Sequence, residues 1–188
     1  NKIGVNAAFL YFLSYLVFLI LGFTVVKPFY ASQIKGADAE IMEMGIEYLR
    51  TVMIFSFGLL AQIYFERLLT STGKTLFSMT SQLCGALTNI ILDPIMIFGL
   101  LGCPAMGVTG AAVATVIGQC VAAVVAFTCN HKFNTEIKIH FHGFRPDIKI
   151  IGTIYAIGVP SIIMQSIGSV MTYSMNRILI AFSSTATA

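Results

Sequence analysis

The 188-residue chain carries 57% hydrophobic and 10% charged residues, a net charge of +3 and a mean hydropathy of +0.87. An ordinary soluble domain has about 25% charged residues, so this composition excludes a water-soluble globule. Long uncharged runs separate the few charges, and most of them reach the roughly 18 to 20 residues that a helix needs to cross hydrocarbon. Because a backbone in lipid must satisfy its own hydrogen bonds, and the runs lack strand alternation, we predict an all-α polytopic membrane helix bundle.

Five spans are predicted, at residues 7–27, 48–68, 75–98, 107–129 and 152–181. The connections between them differ in charge from one side of the membrane to the other. Seven basic residues fall on one side: Lys2, Arg67, Lys74, Lys132, Lys138, Arg145 and Lys149. The other side carries three, Lys27, Lys35 and Arg50, among four acidic residues. The positive-inside rule therefore predicts a cytoplasmic N-terminus in the inner (cytoplasmic) membrane.

Residues 70–75, between the second and third spans, contain a Gly-Lys-Thr tripeptide that is typical of phosphate-binding loops. That motif needs a glycine where Leu68 stands and an apolar strand before it, so we interpret the segment as a short cytoplasmic turn. The three histidines and four cysteines match no metal-binding spacing. We therefore predict no metal, no organic cofactor and no nucleic-acid partner.

The third span places polar and small residues on one helical face, at steps of three, four and four: Gln82, Gly85, Asn89 and Asp93. Asp93 is the only acidic residue that interrupts the long apolar stretches, and Pro94 follows it at once. Proline has no N–H, so the carbonyl four residues earlier loses its usual donor and can bind something else.

A carboxylate within the membrane is energetically expensive and by default suggests proton or cation handling. The alternative is that Asp93 lies at the outer end of its helix. There it would only cap the helix or pair with a basic side chain such as Arg50 or Arg177.

The fourth span carries a small residue at every fourth position: Gly110, Ala114, Gly118, Ala122 and Ala126. In lipid such a stripe lets another helix approach closely, so we expect this span to pack inside the bundle. Thr115 and Gln119 lie one step around from the stripe. They face the same predicted cavity as Asn89 and Asp93, unless Thr115 only bonds back to its own helix.

The last predicted span contains Pro160, which is expected to bend it. Polar residues form a second polar surface along this span, among them Gln165, Asn176 and Arg177. Arg177 lies near the outer end, where its side chain can extend to the lipid headgroups. The alternative for the neutral polar residues is that they join helices to one another.

Two adjacent motifs resemble the helix 5 to helix 6 signature of the multidrug and toxic compound extrusion (MATE) family: LDPIMIFG at residues 92–99 and MGVTGAAVAT at 106–115. Three further stretches agree in order. They are EYLR at residues 47–50, ER at 66–67 followed by GKT at 73–75, and GVP at 158–160 with NR at 176–177.

The resemblance implies a twelve-helix transporter of two lobes, of which this chain is an internal piece equivalent to helices 3 to 7. Residues 1–130 would then supply four helices of the N-terminal lobe, residues 131–149 the cytoplasmic linker, and residues 150–188 the first helix of the C-terminal lobe. Its partners would be the bilayer and the remaining helices. The family exports organic cations and other amphipathic compounds, driven by Na⁺ or H⁺.

By the same resemblance, Asn89 and Asp93 match the helix 5 pair of a cation site, and Thr115 matches its helix 6 hydroxyl. The helix 7 carboxylate of some members has no counterpart here beyond the neighbouring Gln165. The residues expected at the substrate cavity or in gating are Gln82, Gln119, Pro94, Pro160, Gln165, Asn176 and Arg177. A rival interpretation is a related flippase for lipid-linked sugars or another lipid, which would need a strongly basic cavity.

Overall fold

The computed structural model of the protein describes residues 2–33, 39–102, 104–134 and 147–182. Every regular element within these ranges is helical, which confirms the predicted all-α class. The elements are α1 (Lys2–Thr24), α2 (Val26–Gln33), α3 (Ala39–Ile54), α4 (Phe57–Ser71), α5 (Thr75–Phe98), a 3-10 turn (Leu100–Gly102), α6 (Gly107–Phe133) and α7 (Ile148–Phe182). Asn1–Phe144 forms one compact unit and Arg145–Ala188 a second, and each is described by itself.

Four of the described helices are long and apolar enough to cross a membrane: α1, α5, α6 and the part of α7 from Ile148 to Met175. The bent pair of α3 and α4 adds a fifth if it counts as one span. The 24 residues of α5 extend about 36 Å at 1.5 Å per residue, more than the roughly 30 Å of hydrocarbon. The chain is therefore a multi-pass membrane protein.

The second predicted span, residues 48–68, falls on the bent pair of α3 and α4 and not on one straight helix. The axes of α3 and α4 differ by 48° across the break between them. The Ser56 N–H donates to the Met53 carbonyl at 3.4 Å, one residue short of the ordinary helical partner. Just after the break, Gly58 packs so closely on α6 that a Cβ there would stand 2.8 Å from Cys120 Sγ. The break thus directs α4 onto α6, a contact between residues distant in sequence.

The α5 and α6 helices pack antiparallel, along the small-residue stripe predicted on α6. All five residues of that stripe are buried: Gly110, Ala114, Gly118, Ala122 and Ala126. A Cβ added to Gly118 would lie 2.9 Å from the Gly85 carbonyl oxygen, and one added to Gly110 would lie 2.5 Å from the Met96 carbonyl oxygen. Side chains larger than those present would therefore separate the two helices, and the predicted close packing is confirmed.

Short turns precede and follow α5, one joining it to α4 and the other to α6. The predicted turn at residues 70–75 is present, with Gly73 at φ 73°, and Gly99 ends α5 at φ 71°. Both values lie in the left-handed region that glycine adopts at little cost. The start of α5 contacts the end of α6. There the Lys74 ammonium donates to the Phe133 carbonyl, and the Phe77 and Phe133 rings stack with centroids 4.4 Å apart.

The second unit contains α7, which begins next to Asp147. The Asp147 Oδ1 accepts a hydrogen bond from the Lys149 N–H at 3.0 Å, as expected of a residue that caps a helix N-terminus. The helix continues across Pro160 to Phe182. Most of the predicted linker, residues 135–146, lies outside the described residues.

Candidate functional site

Asn89, Asp93 and Thr115 lie together where α5 packs against α6. Asn89 Nδ2 is 3.5 Å from Asp93 Oδ1, one turn further along α5, and 3.3 Å from Thr115 Oγ1 on α6. With the amide turned by 180°, Nδ2 donates to Asp93 Oδ2 at 3.1 Å and Oδ1 accepts from the Thr115 backbone N–H at 3.2 Å. The turned orientation matches each donor with an acceptor, so the Asn89 amide bridges the carboxylate to α6.

The Thr115 hydroxyl both bonds back to its own helix and lies next to Asn89. It donates to the Ala111 carbonyl of its own helix at 2.9 Å. Its oxygen also lies within reach of the Asn89 amide.

Glycine on the small-residue stripe brings these polar groups together. Gly118 lies against α5 so closely that a Cβ there would be 3.2 Å from the Asn89 Cβ. With bulkier residues at this crossing, the helix axes would lie further apart and Asn89 would not reach α6. The site therefore depends on the helix packing as well as on its polar side chains.

Asp93 has no ion pair with any basic side chain of the described residues. Arg50, one of its two suggested partners, instead places its guanidinium carbon 5.0 Å from the centre of the Phe23 ring, a cation–π contact. The side chain of Arg177, the other suggestion, lies outside the described residues. Pro94 lies inside α5, so the Ile90 carbonyl lacks its helical donor beside the cluster.

A groove of about 310 Å³ runs along α4, α5 and α6 next to this cluster. Gln82 and Gln119, both predicted to face the cavity, line the groove together with Asn89 and Thr115. Its other lining residues are Leu59, Gln62, Gly85, Ala86 and Gly118. The Gln119 Oε1 is buried and has no hydrogen-bond partner in the part of the chain that the structure describes.

The predicted site residues of the last span belong to the second unit. Gln165 and Ser169 line an open concavity of α7, together with Ser161. Asn176 and Arg177 lie on the same helix, but their side chains are outside the described residues. The role suggested for these α7 residues stays a prediction.

Glu66 on α4 carries a buried carboxylate that was not among the predicted site residues. Its side chain is only 8% exposed. Gln62 Nε2 donates to its Oε1 at 2.8 Å and Gln82 Nε2 to its Oε2 at 2.9 Å. Ser81 Oγ, which donates to the Ser78 carbonyl at 2.7 Å, lies 3.1 Å from Oε1. The predicted span ended at residue 68, which placed Glu66 at the water interface. The available signal was Gln62 four residues earlier, on the same helical face.

The Asn89–Asp93–Thr115 cluster offers oxygen ligands from two helices: a carboxylate, an amide oxygen and a hydroxyl. Hard cations prefer such ligands, and a carboxylate can alternatively take a proton. Either ion would neutralise a charge that is expensive at membrane depth. The arrangement is therefore chemically suited to bind a small inorganic cation or a proton.

The chain is similar to several known proteins. A family model described as MatE matches residues 1–95. The multidrug export protein MepA of Staphylococcus aureus (strain bovine RF122 / ET3-1) is 27% identical over 132 residues, which are 70% of this chain. MepA of Staphylococcus haemolyticus (strain JCSC1435) is 31% identical over 137 residues, or 73% of this chain. The chain spans 28% of the length of each of these relatives.

A solved structure agrees with this likeness at the level of the fold. The chain named protein A superposes with a TM-score of 0.81 at 27% sequence identity. The alignment covers 95% of this chain and 39% of that one. Residues 1–95, matched by the family model, are more than half of the 188 residues and include both Asn89 and Asp93. This multi-pass membrane chain belongs to the MatE family.

Proposed function

We propose that this chain is part of an ion-coupled exporter of drugs and other amphipathic or cationic compounds, and that Asp93 takes up the coupling ion, Na⁺ or H⁺. The Staphylococcus relatives are named for multidrug export, which supports the substrate class. The observation that carries the coupling is the contact of Asp93 with Asn89, and of Asn89 with Thr115, across two helices. No organic cofactor is part of this proposal.

Ion binding at this place would act on the packing of α5 against α6. An ion can shift a conformational equilibrium only if it binds one arrangement better than the other. When Asn89 contacts both Asp93 and Thr115, ligands from both helices converge. When the helices separate, part of the ligand set is lost. Pro94, directly beside the carboxylate, weakens the helical hydrogen bonding and provides a point where α5 can bend.

The lining of the groove favours export of organic compounds over the flipping of lipid-linked sugars. Amide and hydroxyl side chains supply its polar part, at Gln62, Gln82, Asn89, Thr115 and Gln119. Such groups orient a small organic molecule by hydrogen bonds. A lipid phosphate would instead call for basic side chains. The orientation with a cytoplasmic N-terminus in the inner membrane rests on the distribution of basic residues and is part of the same proposal.

The test uses the full-length transporter in proteoliposomes, with efflux of a fluorescent cation under an imposed Na⁺ or H⁺ gradient. Asp93→Asn should insert normally, because it removes a charge from the bilayer, and should lose gradient-driven transport. Asp147→Asn is the matched control, since it makes the same chemical change at the α7 cap, where asparagine caps equally well. Gradient-driven efflux by Asp93→Asn at the unmodified rate would refute the proposed role.

A further inference from the structure

The contacts of Glu66 with its neighbours on α5 indicate which form of the carboxyl the fold holds. A serine hydroxyl has a single hydrogen, and that of Ser81 goes to the Ser78 carbonyl at 2.7 Å. The Ser81 oxygen nevertheless lies only 3.1 Å from Glu66 Oε1. Two oxygens at this distance repel each other when neither has a hydrogen to share. The contact is therefore a hydrogen bond if Glu66 supplies the hydrogen, as a protonated carboxyl does.

A protonated carboxyl accounts for each of the polar contacts that the Glu66 side chain makes. Its O–H donates to Ser81 Oγ, while Gln62 Nε2 donates to Oε1 at 2.8 Å and Gln82 Nε2 to Oε2 at 2.9 Å. Burial favours the same form, since Glu66 is 8% exposed and Ser81 is 0% exposed. An ionised carboxylate held away from water is costly unless a positive charge compensates it.

No positive charge within the described residues compensates Glu66. Arg67, the next residue, is exposed and interacts electrostatically with the Tyr11 hydroxyl of α1. The helices packed against α4 are α1, α5 and α6. In the part of the chain that the structure describes, Glu66 makes no side-chain hydrogen bond or ion pair with the titratable groups on the facing parts of these helices and of α4 itself, which are Lys2, Tyr11, Tyr64, Arg67, Lys74, Cys84, Cys129, His131 and Lys132.

We propose that Glu66 is a proton site that fastens α4 to α5 while it is protonated and loosens this contact when it ionises. The site is separate from the Asp93 cluster, because Ser81 and Asp93 are twelve residues apart, about 18 Å along α5. On ionisation the proton passes from Oε1 to water in the groove, and the remaining anion faces the Ser81 oxygen with no hydrogen between them. Gln62 and Gln82, which the carboxyl holds, line the groove. Release of the proton therefore alters the groove lining as well.

Infrared spectroscopy of the purified full-length protein at neutral pH tests the protonation directly. A protonated carboxyl has a C=O stretching band that is separate from the bands of ionised carboxylates. We expect this band in the difference spectrum between the unmodified protein and Glu66→Gln. Glu47→Gln is the matched control, because it makes the same change at an exposed carboxyl of α3, and its difference spectrum should lack the band. Absence of the band from the Glu66→Gln difference spectrum would overturn the proposal.

Unfolding in detergent from neutral to alkaline pH tests the fastening of α4 to α5. A group that holds its proton more tightly in the folded protein than in the unfolded chain stabilises the fold while the proton is bound, and this contribution is lost as the pH rises. Glutamine does not ionise, and one N–H can replace the O–H towards Ser81 while the Gln62 amide turns by 180° to accept the other. We therefore expect the unmodified protein to lose stability relative to Glu66→Gln as the pH rises. The same pH dependence in both proteins would overturn the proposed release.

A second variant covers the case in which Glu66→Gln does not fold. Ser81→Ala leaves the carboxyl in place and removes the oxygen that accepts its hydrogen. We expect the C=O band to move to higher frequency, because the carboxyl then donates no hydrogen bond to α5. An unmoved band would show that the hydrogen is not shared with Ser81 and would overturn the proposal. Neither measurement involves ion-driven efflux, so a failure here is distinct from a failure of the export function.

Discussion

Replacing Gly118 by alanine should disturb the helix contact on which the Asp93 cluster depends. The added methyl carbon would stand 2.9 Å from the Gly85 carbonyl oxygen and 3.2 Å from the Asn89 Cβ. Optimal contacts lie at about 3.5 to 4.0 Å, so α5 and α6 must separate by roughly half an ångström. A backbone oxygen cannot rotate out of the way as the end of a flexible side chain could.

Two measurable effects follow from that separation. Overpacking of this kind costs about 1 to 3 kcal/mol, which lowers the ratio of folded to unfolded protein by about 5- to 150-fold. The hydrogen bond from the Thr115 backbone N–H to the turned Asn89 amide oxygen, at 3.2 Å, would also lengthen beyond hydrogen-bonding distance. We therefore expect Gly118→Ala to lower both the stability of the full-length protein and the efficiency of ion-driven transport.

Unfolding in detergent and efflux from proteoliposomes measure the two effects. Val124→Ile is the matched control, because it also adds one methyl group to α6 but at a side chain that is 65% exposed. Unfolding and transport of Gly118→Ala that match those of the control would show that the α5–α6 contact can relax without cost. The reasoning from close packing would then be wrong.

Three further predictions concern the site, a turn and the topology. Asn89→Ala should weaken ion-driven transport less than Asp93→Asn does, because one neutral ligand is lost and the charge remains; an equal or greater loss in the same efflux assay would contradict this. Gly99→Ala should destabilise the protein by about 1 to 2 kcal/mol, since φ is 71° there, and unaltered unfolding would argue against that strain. In a cysteine-free background, a cysteine at position 143 should be labelled only by a thiol reagent on the cytoplasmic side, and one at position 37 only by a reagent on the external side. Labelling of both positions from the same side would refute the topology.

Several features of the fold could be predicted because they depend on local chemistry. Uncharged runs long enough to cross hydrocarbon must be helical in lipid, whatever their neighbours. The small-residue stripe on α6 identified a packing face, because a helix with glycine or alanine at every fourth position presents a flat surface to any partner. The spacing of Asn89 and Asp93 placed them on one helical face, and the structure joins them by a hydrogen bond.

The sequence by itself thus determined the membrane class, the main helices, the packing face of α6 and the polar face of α5, since each follows from periodicity along one segment. Only the tertiary structure decided the break between α3 and α4, the reach of Asn89 to Thr115 and the burial of Glu66. These three depend on which helices meet and how closely. Glu66 illustrates the reason. Near the end of a predicted span it resembles a charge at the water interface, and only its contacts with Ser81 and Gln82 on α5 show that it is enclosed.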